Sequence, residues 1–335
     1  MTRAELENDK RVRREKISYE QVASKYRSAL SRNEELEAEV EAMKAITSGV
    51  ETYHIIPKKQ TGNSEAVAFM IASDWHAEET VTKASVNGLN EYTLAIAEKR
   101  AMRFFQNGLR LLQICRKDVS IDTVVLGLLG DFLSGNIHDE LLETCSLQPI
   151  EATMLVQKWI ASGIEFLLKH TNCKLIIPCC PGNHSRITKK QRHATEAGNS
   201  LETFMYHSLA QYFQKEKRVQ FIIAEGYHTY LDVYNMTVRF HHGHAIRYQG
   251  GIGGLTIPAN KAIAQWNKAK RADLEIFGHW HQFFDAGNFI CNGSNIGFNA
   301  FALSIKASYE PPRQAFFILD RKRGKTIVAP ILTEA

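Results

Sequence analysis

The apolar residues of this chain form short continuous runs separated by longer stretches with helical spacing. Four runs have the length of buried strands, and they occupy residues 67–72, 123–129, 175–180 and 274–277. Residues 90–116 and 150–168 carry apolar side chains at the spacing of amphipathic helices. Strands that alternate with helices in this way predict an α/β fold with a largely parallel sheet.

The apolar pattern changes after residue 217, where strand-like runs follow one another without room for long helices. These runs occupy residues 219–223, 228–234 and 236–240. Such spacing predicts a second sheet with antiparallel pairs. Residues 314–320 and 326–332 flank Arg323, Gly324 and Lys325, a turn sequence that predicts a closing hairpin.

The N-terminal segment, residues 1–50, has a different periodicity. A heptad places one set of side chains at position a and another at position d: Val12, Tyr19, Tyr26, Asn33 and Val40, then Val22, Ala29, Leu36 and Met43. In a parallel pair, the flanking positions would join Arg32 to Glu37 and Glu39 to Lys44 of the second copy. The pattern predicts a coiled coil that forms a homodimer or higher homo-oligomer through residues 12–46. A single amphipathic helix lying on its own globular domain is the alternative.

The remaining sequence divides into a linker and one large domain. Residues 51–64 end in a polar stretch with Pro57 and Gly62, which is typical of a linker. Residues 65–335 contain all the strand and helix patterns described above and form the predicted globular domain.

Polar side chains of the metal-ligand type follow five of the predicted strands. They are Asp74 and His76, Asp131, Asn183 and His184, His241, His242 and His244, and His279 and His281. Strand carboxyl ends are where open α/β sheets place their sites, so these side chains are expected to converge. Histidines at i and i+2 share a side of an extended segment, so His279 and His281 can face one site. Such oxygen and nitrogen ligands suit divalent metals.

In their order and spacing, the five stretches resemble the motifs of the calcineurin-like metallophosphoesterases. That superfamily shows D-x-H, G-D, G-N-H, a His-Gly element and G-H-x-H, and the match covers roughly residues 67–300. The resemblance implies a four-layer α/β/β/α sandwich, here with an N-terminal coiled-coil extension. It also implies a dinuclear, metal-dependent hydrolase of phosphoesters.

The resemblance implies two sets of ligands that share Asp131 as a bridge. The first metal would take Asp74, His76, Asp131 and His281. The second would take Asp131, Asn183, His242 and His279. Mn²⁺ is the expected metal, and Fe, Zn, Co and Ni suit the same mixture of ligands. The family places its ligand directly before Gly243, which favours His242 over His244.

The resemblance also implies that His184 acts as the general acid beside the metals. Arg186, His244 and His138 are predicted to contact the substrate, since they lie beside the motifs. One departure concerns Ser134, which stands where the family's G-D-x-x-D/E motif has a second carboxylate. The sequence leaves open which group supports the ligands in its place.

Composition narrows the compartment and the class of partner. The 41 Lys and Arg residues against 36 Asp and Glu give a net charge of +5, which permits an anionic substrate without demanding nucleic acid. No apolar run approaches the roughly 20 residues that span a bilayer, and the N-terminus has no apolar signal region. The six cysteines lack C-x-x-C spacing. We therefore expect no membrane partner and a cytoplasmic protein with reduced thiols.

Three functions remain open at this point. The first is a nuclease that hydrolyses phosphodiesters in DNA, in the manner of the Mre11/SbcD-like branch of the family. The second keeps the chemistry but acts on nucleotides or other small phosphoesters. The third is a coiled-coil scaffold whose phosphoesterase domain has degenerated, against which the complete set of ligands argues.

Overall fold

The computed structural model describes residues 3–48, 53–55, 64–247 and 254–334. They form a mixed α/β structure with two six-stranded sheets and, within those ranges, seven α-helices. The chain divides into two units, one with the N-terminal helix and residues 265–270, the other with both sheets. None of the helices in the described ranges is both long and apolar enough to cross a bilayer.

The N-terminal unit is built on α1, Arg3–Ser48, an uninterrupted helix of 46 residues. Its predicted core positions are exposed, with exposed fractions from 42% at Leu36 to 76% at Tyr19. Asn33 is exposed as well. The side chains of Met43 and Lys44 lie outside the described residues. Within the predicted linker, Tyr53–Ile55 forms the short strand β1, while residues 51, 52 and 56–63 lie outside the described ranges.

The first sheet contains the parallel strands that the sequence predicts. Its strands are β2 (Glu65–Ala72), β3 (Ser120–Leu128), β4 (Lys174–Cys179), β5 (Val219–Ile223), β11 (Arg313–Asp320) and β12 (Gly324–Leu332). They lie in the order β12-β11-β2-β3-β4-β5, with β2 to β5 parallel and β11 antiparallel to its neighbours. The predicted closing hairpin is confirmed as β11 and β12.

The second sheet is shorter and mixed. Its strands are β1, β6 (Thr229–Val233), β7 (Met236–Phe240), β8 (Leu274–Phe277), β9 (Phe284–Asp285) and β10 (Phe289–Cys291), in the order β1-β6-β7-β8-β10-β9. The predicted antiparallel pair is confirmed as β6 and β7. The prediction was wrong for β5, which pairs parallel to β4 in the first sheet. Spacing along the chain does not show which sheet a strand joins, because an intervening helix can return the chain to either one.

Three of the helices pack against the outer face of the first sheet. The helices after α1 are α2 (Leu94–Cys115), α3 (Leu141–Thr144), α4 (Pro149–His170), α5 (Leu201–Tyr212), α6 (Thr256–Ala269) and α7 (Ala300–Ser304). Thr93 caps α2 through its side chain, and Pro149 starts α4, where its missing N–H costs no hydrogen bond. Both helices lie within a few residues of the bounds predicted from apolar spacing.

Strand β2 shows how the core is divided. Ala66, Ala68, Met70 and Ala72 face the cluster formed with α2, α4 and α5. Val67, Phe69 and Ile71 face the second sheet, where Phe69 stacks 6.5 Å from Phe240. Alternate side chains of a strand point to opposite faces, so one continuously apolar run serves two cores. The two sheets therefore pack against each other, and their strand ends meet at a common site.

Candidate metal centre

The predicted ligands lie in the turns that follow β2, β3, β4, β7 and β8. Asp74 and His76 follow β2, and Asp131 follows β3. The turn after β2 is held against the turn after β3 by main-chain hydrogen bonds, from Asp74 N to Gly130 O at 2.9 Å and from His76 N to Asp131 O at 3.1 Å. Ligands far apart in the chain are thus brought to one edge of the sheets.

The first group of potential ligands consists of Asp74, His76 and His281. One ligand atom from each residue lies within 4.8 Å of the other two. The Nε2 atoms of His76 and His281 are 3.2 Å apart, and His281 Nε2 lies 3.4 Å from Asp74 Oδ1. Two imidazoles and a carboxylate at these distances can bind one divalent cation.

The second group consists of Asp131, His242 and His279, and its ligand atoms also lie within 4.8 Å of one another. His242 Nε2 is 2.9 Å from Asp131 Oδ2 and 3.2 Å from His279 Nδ1. This group is joined to the first, because the main-chain N–H of His279 donates to both carboxylate oxygens of Asp74 at 3.0 Å. The structure therefore has two adjacent Asp/His groups.

The backbone at these residues is unusual. Five predicted ligands have positive φ angles: Asp74 (56°), His76 (46°), Asp131 (51°), His279 (71°) and His281 (53°). Only three other non-glycine residues in the described ranges do so. Left-handed backbone is uncommon outside glycine and costs on the order of 1–3 kcal/mol per residue. Five of the eight described non-glycine residues with left-handed backbone therefore lie in the two ligand groups. Such clustering is typical of functional sites, where the surrounding fold holds the backbone in a strained conformation.

Asn183 provides the test of whether the residues fit a metal. Its Oδ1 atom is buried and has no hydrogen-bond partner among the residues that the structure describes. A buried amide oxygen without a partner costs about 1–3 kcal/mol, unless a ligand satisfies it. Asn183 belongs to the predicted second set of ligands, and a cation would satisfy this oxygen. The residues present therefore fit a pair of divalent metals.

The protonation states also suit a cation. Burial raises the pKa of Asp131, but the nearby His242 and His184 outweigh this and hold the pKa well below its ordinary value. Burial, reinforced by neighbouring histidines, lowers the pKa values of His76 and His279 well below the ordinary value. An ionised carboxylate between neutral imidazoles presents lone pairs to a metal, which needs deprotonated ligands.

His242 and His281 differ from the other two histidines. In His281, burial lowers the pKa, but the Asp74 carboxylate outweighs burial and raises the pKa. In His242, burial again lowers the pKa, but the Asp131 carboxylate outweighs burial and raises the pKa to about 10. His242 Nδ1 donates to the carbonyl of Leu129 at 2.7 Å, which leaves Nε2 facing Asp131. A metal that binds Nε2 would therefore release the proton from that nitrogen.

Glu79 supplies the carboxylate that the motif around Ser134 lacks. His76 Nδ1 lies 3.0 Å from Ser134 Oγ, and Ser134 Oγ donates to Glu79 Oε2 at 3.0 Å. Asn299 donates to the other carboxylate oxygen of Glu79 at 3.2 Å. Partners of this kind fix the orientation of a metal-binding imidazole. The Ser134 hydroxyl thus connects His76 to the carboxylate of Glu79, which lies in the turn after β2, three residues after His76.

Glu202, which the sequence did not single out, joins two of the ligand turns. Its Oε1 accepts from Phe132 N at 2.7 Å, and its Oε2 accepts from Gly182 N at 2.7 Å. The neighbours of these donors are Asp131 and Asn183. Acidic residues are common in the first turn of a helix, where they interact with the helix dipole, so sequence alone offers no signal for this long-range role.

Glycine is required where the same two turns touch. A Cβ on Gly130, whose φ is 85°, would lie 2.1 Å from Gly182 N. A Cβ on Gly182 would lie 2.0 Å from Asp131 Oδ1. Both positions exclude any larger residue without movement of the backbone. The glycines of the G-D and G-N-H stretches therefore allow Asp131 and Asn183 to approach each other.

His184, the predicted general acid, lies beside the first group. Its ring centroid is 4.8 Å from that of His76, and its main-chain N–H donates to Asp131 Oδ1 at 2.9 Å. Its Nδ1 donates to the carbonyl of Ser134 at 2.9 Å. Since a carbonyl only accepts, the Nδ1 proton is fixed there and Nε2 is the nitrogen that exchanges a proton.

The three predicted substrate residues have different surroundings. His138 is exposed, with its ring 5.9 Å from that of His184. Arg186 donates to the carbonyl of Asn183 at 2.6 Å. His244 lies outside both ligand groups, with Nε2 3.0 Å from Glu196 Oε1 and its ring 5.5 Å from that of His242. All three are therefore near the ligands without being among them.

Comparison with known proteins gives low similarity. No protein-family model matches the chain, and no curated protein matches it.

Three solved structures are similar over most of both chains. A predicted phosphoesterase from Streptococcus pneumoniae TIGR4 has a TM-score of 0.30 and 10% identity, covering 81% of this chain and 98% of that one. A hypothetical protein from Pyrococcus horikoshii OT3 has a TM-score of 0.36 and 14% identity, covering 80% and 89%. Vps29 from Chaetomium thermophilum has a TM-score of 0.31 and 10% identity, covering 79% and 95%. Similarity at this level decides nothing about what this chain binds.

Proposed function

We propose that this chain is a dinuclear metal-dependent phosphoesterase that hydrolyses phosphodiester bonds in DNA. One observation carries the proposal: two adjacent Asp/His groups share a buried site with the unpaired oxygen of Asn183. The five motifs at the strand ends support a four-layer sandwich of the calcineurin-like type and its nuclease branch. Phosphatase action on small phosphoesters is the second candidate, because the same groups would serve both reactions.

The residues of the site have distinct roles in the proposed reaction. Asp74, His76 and His281 would hold one cation, Asn183, His242 and His279 would hold the other, and Asp131 would bridge them. The bound pair would supply activation of a water and neutralise charge on the phosphate. We propose Mn²⁺ as the metal, which suits the mixed oxygen and nitrogen ligands.

His184 and two neighbours would act on the phosphoester itself. With its Nδ1 proton held by the Ser134 carbonyl, His184 would donate a proton from Nε2 to the leaving oxygen. Arg186, which donates to the Asn183 carbonyl, and His138, whose ring lies 5.9 Å from that of His184, would contact non-bridging oxygens of the substrate. These residues favour an anionic substrate whose leaving group needs protonation.

Hydrolysis of two model esters tests this proposal. With Mn²⁺ present, we expect bis-p-nitrophenyl phosphate to be cleaved faster than p-nitrophenyl phosphate, and DNA to be cleaved as well. His184→Ala should lower the rate about 10²–10⁴-fold, the usual contribution of a general acid. His170→Ala, at the exposed end of α4, is the matched control and should leave the rate unchanged.

The outcomes separate the candidate functions. Cleavage of the monoester alone would replace the nuclease proposal by a phosphatase acting on small phosphoesters. If the chain hydrolyses neither ester with any divalent metal, the result would instead support the third function, a coiled-coil scaffold with a degenerate phosphoesterase domain. A rate that His184→Ala leaves intact would remove His184 from the mechanism.

We also propose that α1 pairs in parallel with α1 of a second copy of this chain. Its predicted core positions form an exposed stripe from Val12 to Val40. The charges beside the stripe are complementary between copies, with Arg32 facing Glu37 and Glu39 facing Lys44. A homodimer would cover the stripe and present two sites to one DNA molecule.

Lysine in the stripe is expected to separate the two copies. We expect wild-type protein to sediment as a dimer, and Leu36→Lys/Val40→Lys to sediment as a monomer, because buried charges would face each other across the pair. Ser31→Lys/Ala38→Lys adds the same two positive charges at exposed positions outside a and d and is the control. Sedimentation equilibrium distinguishes the species, and a wild-type monomer at micromolar concentration would contradict the proposal.

A further inference from the structure

The loop that follows His184 carries an unbalanced positive charge. Residues 186–195 contain Arg186, Lys189, Lys190, Arg192 and His193 but no acidic residue. The side chains of Lys189, Lys190 and Arg192 are exposed. None of these three has an ion pair within the part of the chain that the structure describes. The whole chain, by contrast, has nearly balanced charges, with 41 basic and 36 acidic residues.

Both ends of this loop are fixed beside the metal ligands. At the first end, Arg186 donates to the carbonyl of the predicted ligand Asn183 at 2.6 Å. At the other end, Glu196 lies 3.0 Å from His244, whose ring is 5.5 Å from that of His242. The cations at 189–192 therefore belong to a loop that leaves and returns beside the second ligand group.

The base of the loop is held by main-chain hydrogen bonds. Ile187 N donates to Asn199 O at 3.0 Å, and Leu201 N donates to Ser185 O at 2.9 Å. Within the loop, Thr188 Oγ1 donates to the carbonyl of Lys190 at 2.8 Å. These bonds fix both ends of the loop that carries the cations, so that it is not a free tail.

We propose that Lys189, Lys190 and Arg192 bind the phosphates of a DNA strand that flank the bond to be cleaved. The inference rests on the proposed phosphodiesterase function and deepens it, because it assigns a polymeric substrate. A substrate with a single phosphate has no second phosphate to reach this loop. A strand held in the site places further phosphates along its backbone, where exposed cations bind them by displacing counterions.

Substitution of the three cations tests this role through binding alone. In an Asp131→Asn background, which prevents cleavage, Lys189→Gln/Lys190→Gln/Arg192→Gln is titrated with a fluorescein-labelled single-stranded oligonucleotide. We expect affinity to fall about 10- to 100-fold near 0.1 M salt, since each lost phosphate contact removes about 0.7 from the slope of log K against log salt. The slope should therefore become shallower by about 2.

The control removes the same number and kind of charges from α2 and α4. Arg110, Lys158 and Lys169 are exposed there, and replacing all three with Gln should leave the affinity within about twofold and the salt slope unchanged. Thermal unfolding followed by circular dichroism confirms that both triple variants are folded. A loop variant with the same affinity and slope as this control would overturn the inference.

Failure of the loop's role and failure of the proposed function give different results. Metal-dependent hydrolysis of bis-p-nitrophenyl phosphate by the wild-type chain is measured in parallel. If hydrolysis occurs but the loop variant binds DNA normally, the phosphodiesterase proposal stands and the loop's role is rejected. If the wild-type chain hydrolyses the ester and the loop variant loses DNA affinity, both the phosphodiesterase proposal and the role of the loop are supported.

Discussion

Replacing Asp131 with Asn is expected to abolish metal-dependent phosphodiester hydrolysis. The carboxylate is buried, ionised and 2.9 Å from His242, and it is the residue that we propose to bridge both metals. Asn keeps the shape of the side chain but removes its charge. A loss of about 4 kcal/mol of transition-state stabilisation, typical of losing a metal's contribution, corresponds to about a thousandfold in rate.

Two measurements check this result. Initial rates on bis-p-nitrophenyl phosphate should fall to background, and the number of Mn²⁺ ions bound in isothermal titration calorimetry should fall below that of the wild type. Asp118→Asn is the control, because Asp118 is exposed after the end of α2. Wild-type rates and metal stoichiometry in Asp131→Asn would show that the second group is not a metal site.

Removing Glu202 is expected to weaken metal binding without touching any ligand. In Glu202→Ala, the main-chain N–H groups of Phe132 and Gly182 lose their acceptor. Each buried donor without a partner costs about 1–3 kcal/mol, so the free energy of unfolding should fall by about 2–6 kcal/mol. The two turns then no longer hold Asp131 and Asn183 in register, and metal affinity should fall about 10- to 100-fold.

Glu202→Gln keeps the protein folded while testing the same contacts. The Gln amide keeps one acceptor but presents a donor to the other main-chain N–H. The variant should therefore lose less stability than Glu202→Ala and still show a clear loss of Mn²⁺ affinity. Titration calorimetry and urea unfolding measure the two effects separately. Glu98→Ala, on the exposed face of α2, is the control and should change stability by less than about 0.5 kcal/mol. Unchanged metal affinity in both Glu202 variants would assign Glu202 to stability alone.

Local signals account for what could be read from the chain itself. Apolar runs placed the strands before Asp74, Asp131, Asn183 and the two histidine-containing turns, because a buried strand must be apolar over its length. Helical spacing placed α2 and α4 within a few residues of their bounds. The same logic predicted that the polar side chains converge, since side chains at strand carboxyl ends share one edge. The division of the ligands into two sets came from the resemblance to the calcineurin-like metallophosphoesterases.

Only the tertiary structure decided how these turns are supported. Glu79 and Glu202 support the ligands through hydrogen bonds to residues of other turns, Ser134 and Phe132. Their local sequences are ordinary for a loop and for a helix start. The local pattern also could not predict which sheet β5 joins, because its pairing depends on where α5 returns the chain. Likewise, the left-handed backbone at Asp74, His76, Asp131, His279 and His281 does not follow from residue type, since Asp and His adopt it more often than most residues but still only in a minority of cases. The sequence by itself determined which residues meet, through periodicity and strand ends, whereas packing between distant turns determined how they are oriented and which carboxylates hold them in place.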